Sequence, residues 1–412
     1  MTSVSINPSR LSGRIRTMGQ IGALPGGGVC RLAMTDEDKL GRDQFVAWLR
    51  ELGMSVHIDV IGNIWGIRAG AEDGAPVMMG SHIDSVATGG LYDGVAGVMA
   101  GLEVVAALND AGVTTNKPIA VAAFTNEEGA RFAPDMMGSG VHQGALDLGE
   151  MLATVATSGD GVLGEEMKRI GYAGDIPPRS MVPAAYLELH VEQGPVLEHE
   201  GIRIGAVTGV QGISWTEFTI EGQSNHAGTT PMALRHDAGL VAAQIAAEAR
   251  QIATDFGPPQ VSTVGVLEVS PGLVNVVPLH ARLTVDLRNT SEERLVEAET
   301  RLAKFADEAA QQERCSITSR KLARFAPVEF DKSIVARVEN AARARQMNVR
   351  RMPSGAGHDA QMFAPNCPTA MVFVPSAGGL SHNINEHTEE ADLAAGTQIL
   401  LDVTLELAGV KK

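Results

Sequence analysis

The residue types able to do chemistry in this 412-residue chain gather into short clusters of imidazole and carboxylate. His82 and Asp84 stand in Gly80-Ser81-His82-Ile83-Asp84, and Asp93 in Gly89-Gly90-Leu91-Tyr92-Asp93-Gly94. Glu127 and Glu128 close Thr125-Asn126-Glu127-Glu128, His190 opens His190-Val191-Glu192-Gln193-Gly194, and His382 follows near the end. Nitrogen and oxygen donors without thiolate suit zinc, manganese, cobalt or nickel. In an extended chain His82 and Asp84, two apart, point to the same side. Asp84 is therefore expected to hold the imidazole by a hydrogen bond, as partners of metal-binding histidines usually do. A carboxylate in a glycine-rich turn, as at Asp93, can come close to an ion and has two oxygens to share between two cations. Glu127 and Glu128, side by side after an apolar run, would repel each other without a cation or a proton. Alone, each piece is ordinary: a strand-end histidine is usually just hydrogen-bonded, and Asp-Gly is a turn signal. Their conjunction points to a metal centre. The three cysteines, Cys30, Cys315 and Cys367, are far apart and odd in number, so they read as reduced structural thiols that build no metal cage.

The elements that must position these residues are legible as periodicity. Residues 39–52 carry Leu40, Phe45, Leu49 and Leu52 at helical spacing, with Gly53 as the stop. An extended stretch follows at 55–67. Three apolar runs, 77–79, 119–124 and 185–189, then each end in a cluster of ionisable side chains. In open α/β sheets, ligands gather at the carboxyl ends of strands. The middle of the chain changes character: strands at 215–220, 262–269 and 280–287 and helices at 233–253 and 292–313 suggest two strand pairs plus two helices in a compact α+β insertion. A helix at 333–345, a strand at 369–374 and a closing helix at 390–407 resume the α/β pattern. The expected fold is thus α/β, a mixed-sheet catalytic domain flanked by helices (1–212 and 328–412) with a smaller inserted α+β lid or dimerisation domain (213–327).

Composition bounds the function class. With 44% hydrophobic and 20% charged residues the chain is globular and long enough for two compact units. A net charge of −16 argues against nucleic-acid binding and implies a solvated acidic exterior. No apolar run reaches the ~18–20 residues of a membrane span. The N-terminal stretch, with Ser3, Ser5, Asn7, Arg10, Arg14 and Arg16, lacks the apolar core of a secretory signal, so a cytoplasmic location is expected.

Six strings, in order along the chain, resemble the hydantoinase/carbamoylase-type amidases: GSHIDSV (80–86), GGLYDG (89–94), FTNEEGARF (124–132), ELHVEQGP (188–195), GQSNHAGTTPM (222–232) and SHNINEHT (381–388). That family holds N-carbamoyl-L-amino acid hydrolases, β-ureidopropionases and allantoate amidohydrolases, within a wider aminoacylase and metallopeptidase superfamily. The resemblance implies two divalent cations per subunit (Zn, Mn, Co or Ni). His82, Asp93 and His190 would hold one; Asp93, as the bridge, with Glu128 and His382 would hold the other. Glu127 would be general base and acid, with Asp84 orienting His82. Histidine at 190, where many peptidase relatives have a carboxylate, favours an amidase.

The same resemblance implies that His226 stabilises the oxyanion, reaching the active site of a neighbouring subunit in a homodimer. Arg288 would clamp the substrate carboxylate, a task that suits a planar guanidinium, with Gln193 and Asn275 as further substrate contacts; the other reading of a strand-end arginine is a surface ion-pair partner. His358, in Gly355-Ala356-Gly357-His358-Asp359 before a short helix, is expected to face the substrate or support a ligand, the alternative being a residue of the helix-cap region. Arg235-His236-Asp237 reads as a helix start outside the site, and His142, His199, His236, His280 and His387 as structural. Two cations lower the pKa of a water between them, Glu127 takes its proton, and the carbamoyl carbon is attacked. The wording of NEEGARF, with Ala130, resembles carbamoylases and β-ureidopropionases more than allantoate enzymes. The expected reaction is hydrolysis of an N-carbamoyl-L-amino acid to amino acid, carbon dioxide and ammonia. N-carbamoyl-β-alanine and allantoate are the nearest rivals, ahead of a dipeptidase or aminoacylase, and a non-catalytic binding protein would be expected to have lost the base or ligands present here.

Overall fold

The computed structural model describes residues 4–411; residues 1–3 and 412, inside the expected catalytic domain, lie outside the described residues. The chain divides into two compact units, Met1–Thr208 with Glu329–Lys412, and Gly209–Val328.

The larger unit is organised on a mixed sheet. Its strands run in the order Ser55–Ile58, Ile64–Arg68, Ile119–Phe124, Val77–His82, Ala185–Val191, Thr369–Val374 and Ile204–Val210, the last also pairing with Val349–Ser354. The central four, from Ile119–Phe124 to Thr369–Val374, are parallel and buried along their whole length, which is why they read as continuous apolar runs without alternation. The 55–67 stretch is a hairpin, with Ser55–Ile58 antiparallel to Ile64–Arg68. The helix Val95–Asp110 is apolar on nearly every side because it is packed between the sheet and the closing helix Glu390–Ala408. The first expected helix spans Asp36–Glu51, starting where the Thr35 side chain accepts from the Asp38 N–H.

The smaller unit is a four-stranded antiparallel sheet in the order Ser316–Phe325, Gly212–Glu221, His280–Asn289, Val261–Ser270. Helices Ala238–Phe256 and Glu292–Glu313 pack on it around a core that includes Phe218, Ile245, Leu283, Leu287 and Leu302. His280–Asn289 alternates buried and half-buried residues without a break, the period-two signature of a strand covered on one face. Two expectations need correction. The fourth strand, Ser316–Phe325, has no alternation to announce it; its polar residues are mostly exposed, and its pairing with Gly212–Glu221 sets its register. The helix expected from 233 begins at Ala238, where the Asp237 carboxylate accepts from the Leu240 N–H.

Candidate metal centre

The three ionisable clusters that follow apolar runs meet because the strands carrying them are parallel neighbours. His82 is the last residue of Val77–His82, His190 lies near the end of Ala185–Val191, and the 125–128 turn leaves Ile119–Phe124. The His82 and His190 ring centroids are 6.1 Å apart. Asp93 comes from the turn that starts helix Val95–Asp110. There Gly94 has φ +64, and a Cβ on it would stand 2.4 Å from the His82 ring, so only glycine lets the turn come this close. His382 arrives from a segment in neither helix nor strand and has φ 53 itself.

His82 Nδ1 donates to the main-chain oxygen of Asp84 (3.0 Å), and His190 Nδ1 to that of Val191 (2.8 Å). These bonds put a proton on Nδ1 in both rings and leave Nε2 as the acceptor, which in His190 takes the Gly94 N–H at 3.2 Å. Both Nε2 atoms turn toward Asp93 Oδ1, at 3.7 Å from His82 and 3.1 Å from His190. The other oxygen, Oδ2, is 3.3 Å from His382 Nε2, which is also 3.2 Å from Glu128 Oε2. Two triads able to hold a cation thus share one carboxylate: His82, Asp93, His190 and Asp93, Glu128, His382. Glu127 Oε2 lies 3.4 Å from His82 Nε2. A third group, Glu188, His190 and His358, is also compact. Its donors are taken: Ser81, Tyr186 and the Ala360 N–H bond Glu188, and Ser354 bonds His358.

The electrostatics of the protein without ions are those of a cation site. Burial, then the charges of Asp359, Glu128 and Asp84, hold the Glu127 carboxyl well above the usual carboxylate range. Burial likewise lifts Asp84 to about 6. Asp93 goes the other way: burial would raise it, but hydrogen bonds to His190 and His382 hold it well below. Burial would lower His190, yet Asp93 raises it to about 9; Asp93 and Glu128 raise His382 to about 10. In a low dielectric such a crowd of carboxylates requires positive charge. Glu128 Oε1 is buried without a hydrogen-bond partner, as expected of an oxygen that waits for an ion. The residues therefore fit divalent metal.

Some expected residues do other work than the sequence suggested. The Asp84 carboxylate is 3.9 Å from the His82 ring, and the main-chain oxygen takes its place as acceptor. The carboxylate instead accepts from the N–H groups of Glu127 (3.2 Å) and Glu128 (3.3 Å), and so holds the turn that carries both. His358 is not at an open face: it is buried, with its ring 4.5 Å from that of His190 and Nε2 2.8 Å from Ser354 Oγ. It stands behind a ligand candidate. Gln193 Nε2 donates to Asp93 Oδ2 (3.0 Å) and to Ser381 Oγ (3.2 Å).

In the smaller unit His226 is exposed, and its Nδ1 accepts from the Gly228 N–H at 3.0 Å, which leaves the proton on Nε2 and makes that nitrogen a donor. Arg235 clamps the same loop through the Ala227 and Thr230 carbonyls, so the Arg235-His236-Asp237 string is more than a helix start. Asn275 is exposed beside it, accepting from the Ala227 N–H through its main-chain oxygen. Arg288 forks onto Asp286 at 2.9–3.1 Å, the ion pairing that is the other role expected of a strand-end arginine. His142 is structural as expected, buried against Asp59 and the Met181 carbonyl.

Three residues around the centre escaped the sequence reading. Glu188 lies two before His190, on the same side of its strand; Asp359 follows His358 and is fully buried; Glu386 lies inside the SHNINEHT string. Each was within reach as an ionisable residue beside one already singled out.

A mixed α/β sheet with such a centre at its strand ends is an arrangement that suits a metal-dependent hydrolase. The description "Peptidase family M20/M25/M40" matches residues 57–406. The chain is 39% identical to an N-carbamoyl-L-amino-acid amidohydrolase of Rhizobium meliloti, covering 98% of this chain and 97% of that one. It is 34% identical to an allantoate amidohydrolase of Escherichia coli (strain K12), with 96% of both covered. Among solved structures it is similar to an amidase of the hydantoinase/carbamoylase family from Burkholderia multivorans, with TM-score 0.96, 43% identity and 98% and 99% of the two chains covered. The chain belongs to the M20/M25/M40 peptidase family, among its hydantoinase/carbamoylase amidases. The relatives named above are amidohydrolases and an amidase.

Proposed function

We propose that the chain hydrolyses the ureido C–N bond of an N-carbamoyl-L-amino acid, giving the amino acid, carbon dioxide and ammonia. The observation that carries this is the pair of triads that share Asp93, with the Glu127 carboxylate beside them, in a chain whose full-length relative bears that activity in its name. His82, Asp93 and His190 would hold one divalent cation, and Asp93, Glu128 and His382 a second, from among zinc, manganese, cobalt and nickel. Bound there, the cations supply Lewis acidity to the carbonyl and lower the pKa of a water. Glu127 accepts the proton of the attacking water and returns it to the departing nitrogen. His226 Nε2–H donates to the oxyanion, the contribution of such a donor being roughly 3–4 kcal/mol. Arg288, Asn275 and Gln193 orient the substrate's carboxylate end, which requires Arg288 to share or exchange its Asp286 partner. We take the chain to act in the cytoplasm as a homodimer, the smaller unit serving as lid and dimerisation domain (213–327) on a catalytic domain (1–212 and 328–412). No helix among the described residues is long and apolar enough to cross a membrane.

The test is ammonia release from N-carbamoyl-L- and D-amino acids, N-carbamoyl-β-alanine and allantoate, after loading with each metal. Turnover should be fastest on an N-carbamoyl-L-amino acid. A clear preference for allantoate, the substrate named for one relative, would replace this reading with the second one.

A further inference from the structure

Glu386 is a buried carboxylate that neither of the two triads uses. One oxygen, Oε1, accepts from two successive main-chain groups, the N–H of Tyr92 and of Asp93, both at 3.0 Å. The other, Oε2, accepts from Ser381 Oγ at 3.3 Å. We propose that Glu386 is a positioning residue that ties the Asp93 turn to the His382 segment and thereby builds the second cation position; the proposal rests on the two-cation reading above.

The two ligand triads are supported in different ways. His82 and His190 project from strands of the sheet, where His82 is in register with Phe124 and His190 with Phe373, so each is held by a neighbouring strand. His382 has no such support. It lies outside helix and strand with a half-exposed side chain, and its φ of 53 is a conformation non-glycine residues keep only when their surroundings impose it. What imposes it is a turn closed by Glu386, whose N–H donates to the Asn383 carbonyl at 3.0 Å and whose side chain takes the hydroxyl of the preceding Ser381.

On the other side, two N–H groups converging on Oε1 fix the Tyr92–Asp93 peptide plane, and with it the direction in which Asp93 presents its two oxygens. The Asp93 N–H is buried and that of Tyr92 partly so, and the buried one would be left unpaired without the carboxylate. The contact is tight enough to dictate sequence: a Cβ on Gly90 would fall 2.3–2.4 Å from Glu386 Oε1, Cβ and Cδ. Loss of Glu386 should therefore release His382 from Asp93 while leaving His82 and His190 where the strands hold them.

Chelator-stripped full-length protein is titrated with zinc and with manganese by calorimetry, and bound metal is counted by elemental analysis. The wild-type chain should take up two cations. Glu386→Ala should weaken the Asp93, Glu128 and His382 position about 10–100-fold and the His82, Asp93 and His190 position less, since Asp93 belongs to both, while Glu386→Gln, which retains the Oε1 acceptor, recovers most of the loss. If Glu386→Ala fails to fold, Ser381→Ala removes the Oε2 tie together with the contacts of Ser381 Oγ to Asp93 Oδ2 and Gln193 Nε2, leaves the two bonds at Oε1, and should weaken the same position. The proposal is overturned if folded variants bind both cations as tightly as wild type, or lose the two positions equally. A wild-type chain saturating at one cation would instead overturn the two-cation reading, a failure visible before any variant is made.

Discussion

At the scale of single residues, the site assigns its work by proton affinity and hydrogen-bond direction. Glu127 and Glu128 are neighbours in sequence, yet Glu128 reaches His382 while Glu127 reaches His82. Glu127→Gln should lower kcat by about 10²–10⁴-fold with bound metal unchanged; loss of metal instead would show the two glutamates exchanged in role. A pH effect follows from the histidines. Without metal, burial opposes but Asp93 holds the proton on His190 up to about 9, and Asp93 with Glu128 holds that on His382 up to about 10. Cations bind neutral imidazole, so uptake must expel these protons. Affinity should therefore climb from about pH 7 to about pH 9–10 and level off above, with proton release measurable by calorimetry in buffers of different ionisation enthalpy. An affinity flat across this range would contradict the assignment. The donor types and the shared Asp93 were readable from the sequence. The direction of Asp84 was not: strand alternation puts its side chain on the same side as His82 only while the chain stays extended, and the strand ends at His82.

At the scale of elements, the chemistry depends on turns between rigid parts. The Gly94 turn starts helix Val95–Asp110 and aims Asp93. Gly94→Ala must place a methyl group against the His82 ring at positive φ, so it should cost about 1–3 kcal/mol of stability and lower bound metal, read by thermal unfolding and elemental analysis. The 125–128 turn is held from below by Asn63: its Oδ1 accepts from the Thr125 N–H at 2.9 Å, and its Nδ2 donates to Asp59 and the Gly138 carbonyl. Asn63→Ala strands these buried groups and should destabilise by about 1–3 kcal/mol, with kcat falling more than KM rises because the turn carries Glu127. Unchanged kinetics in that variant would show that Asp84 alone holds the turn. Buried strands and amphipathic helices were legible, since burial writes periodicity into sequence. Ser316–Phe325 was not, because an edge strand with polar side chains takes its identity from its neighbour's hydrogen bonds.

At the scale of the whole molecule, the proposal divides one active site between two subunits. If His226 completes the site of a neighbouring chain, His226→Ala and Glu127→Gln are each nearly inactive alone. Unfolded and refolded together in equal amounts, they should regain about a quarter of wild-type activity, since random pairing makes half the dimers mixed and each carries one whole site. A mixture no more active than its components would place His226 in its own subunit's site or outside catalysis.

The sequence by itself determined the candidate donors, the apolar strands that carry them, and the family to which the chain belongs, because those are written in residue type, order and apolar run length. Only the tertiary structure decided which oxygen faces which nitrogen. It made the Asp84 carboxylate a support for Glu127 and Glu128, placed His358 behind His190, and brought Glu386 between the Asp93 turn and the His382 segment. These are contacts between chain segments far apart in sequence, or set by where a strand stops and a turn begins. Local periodicity carries no record of either.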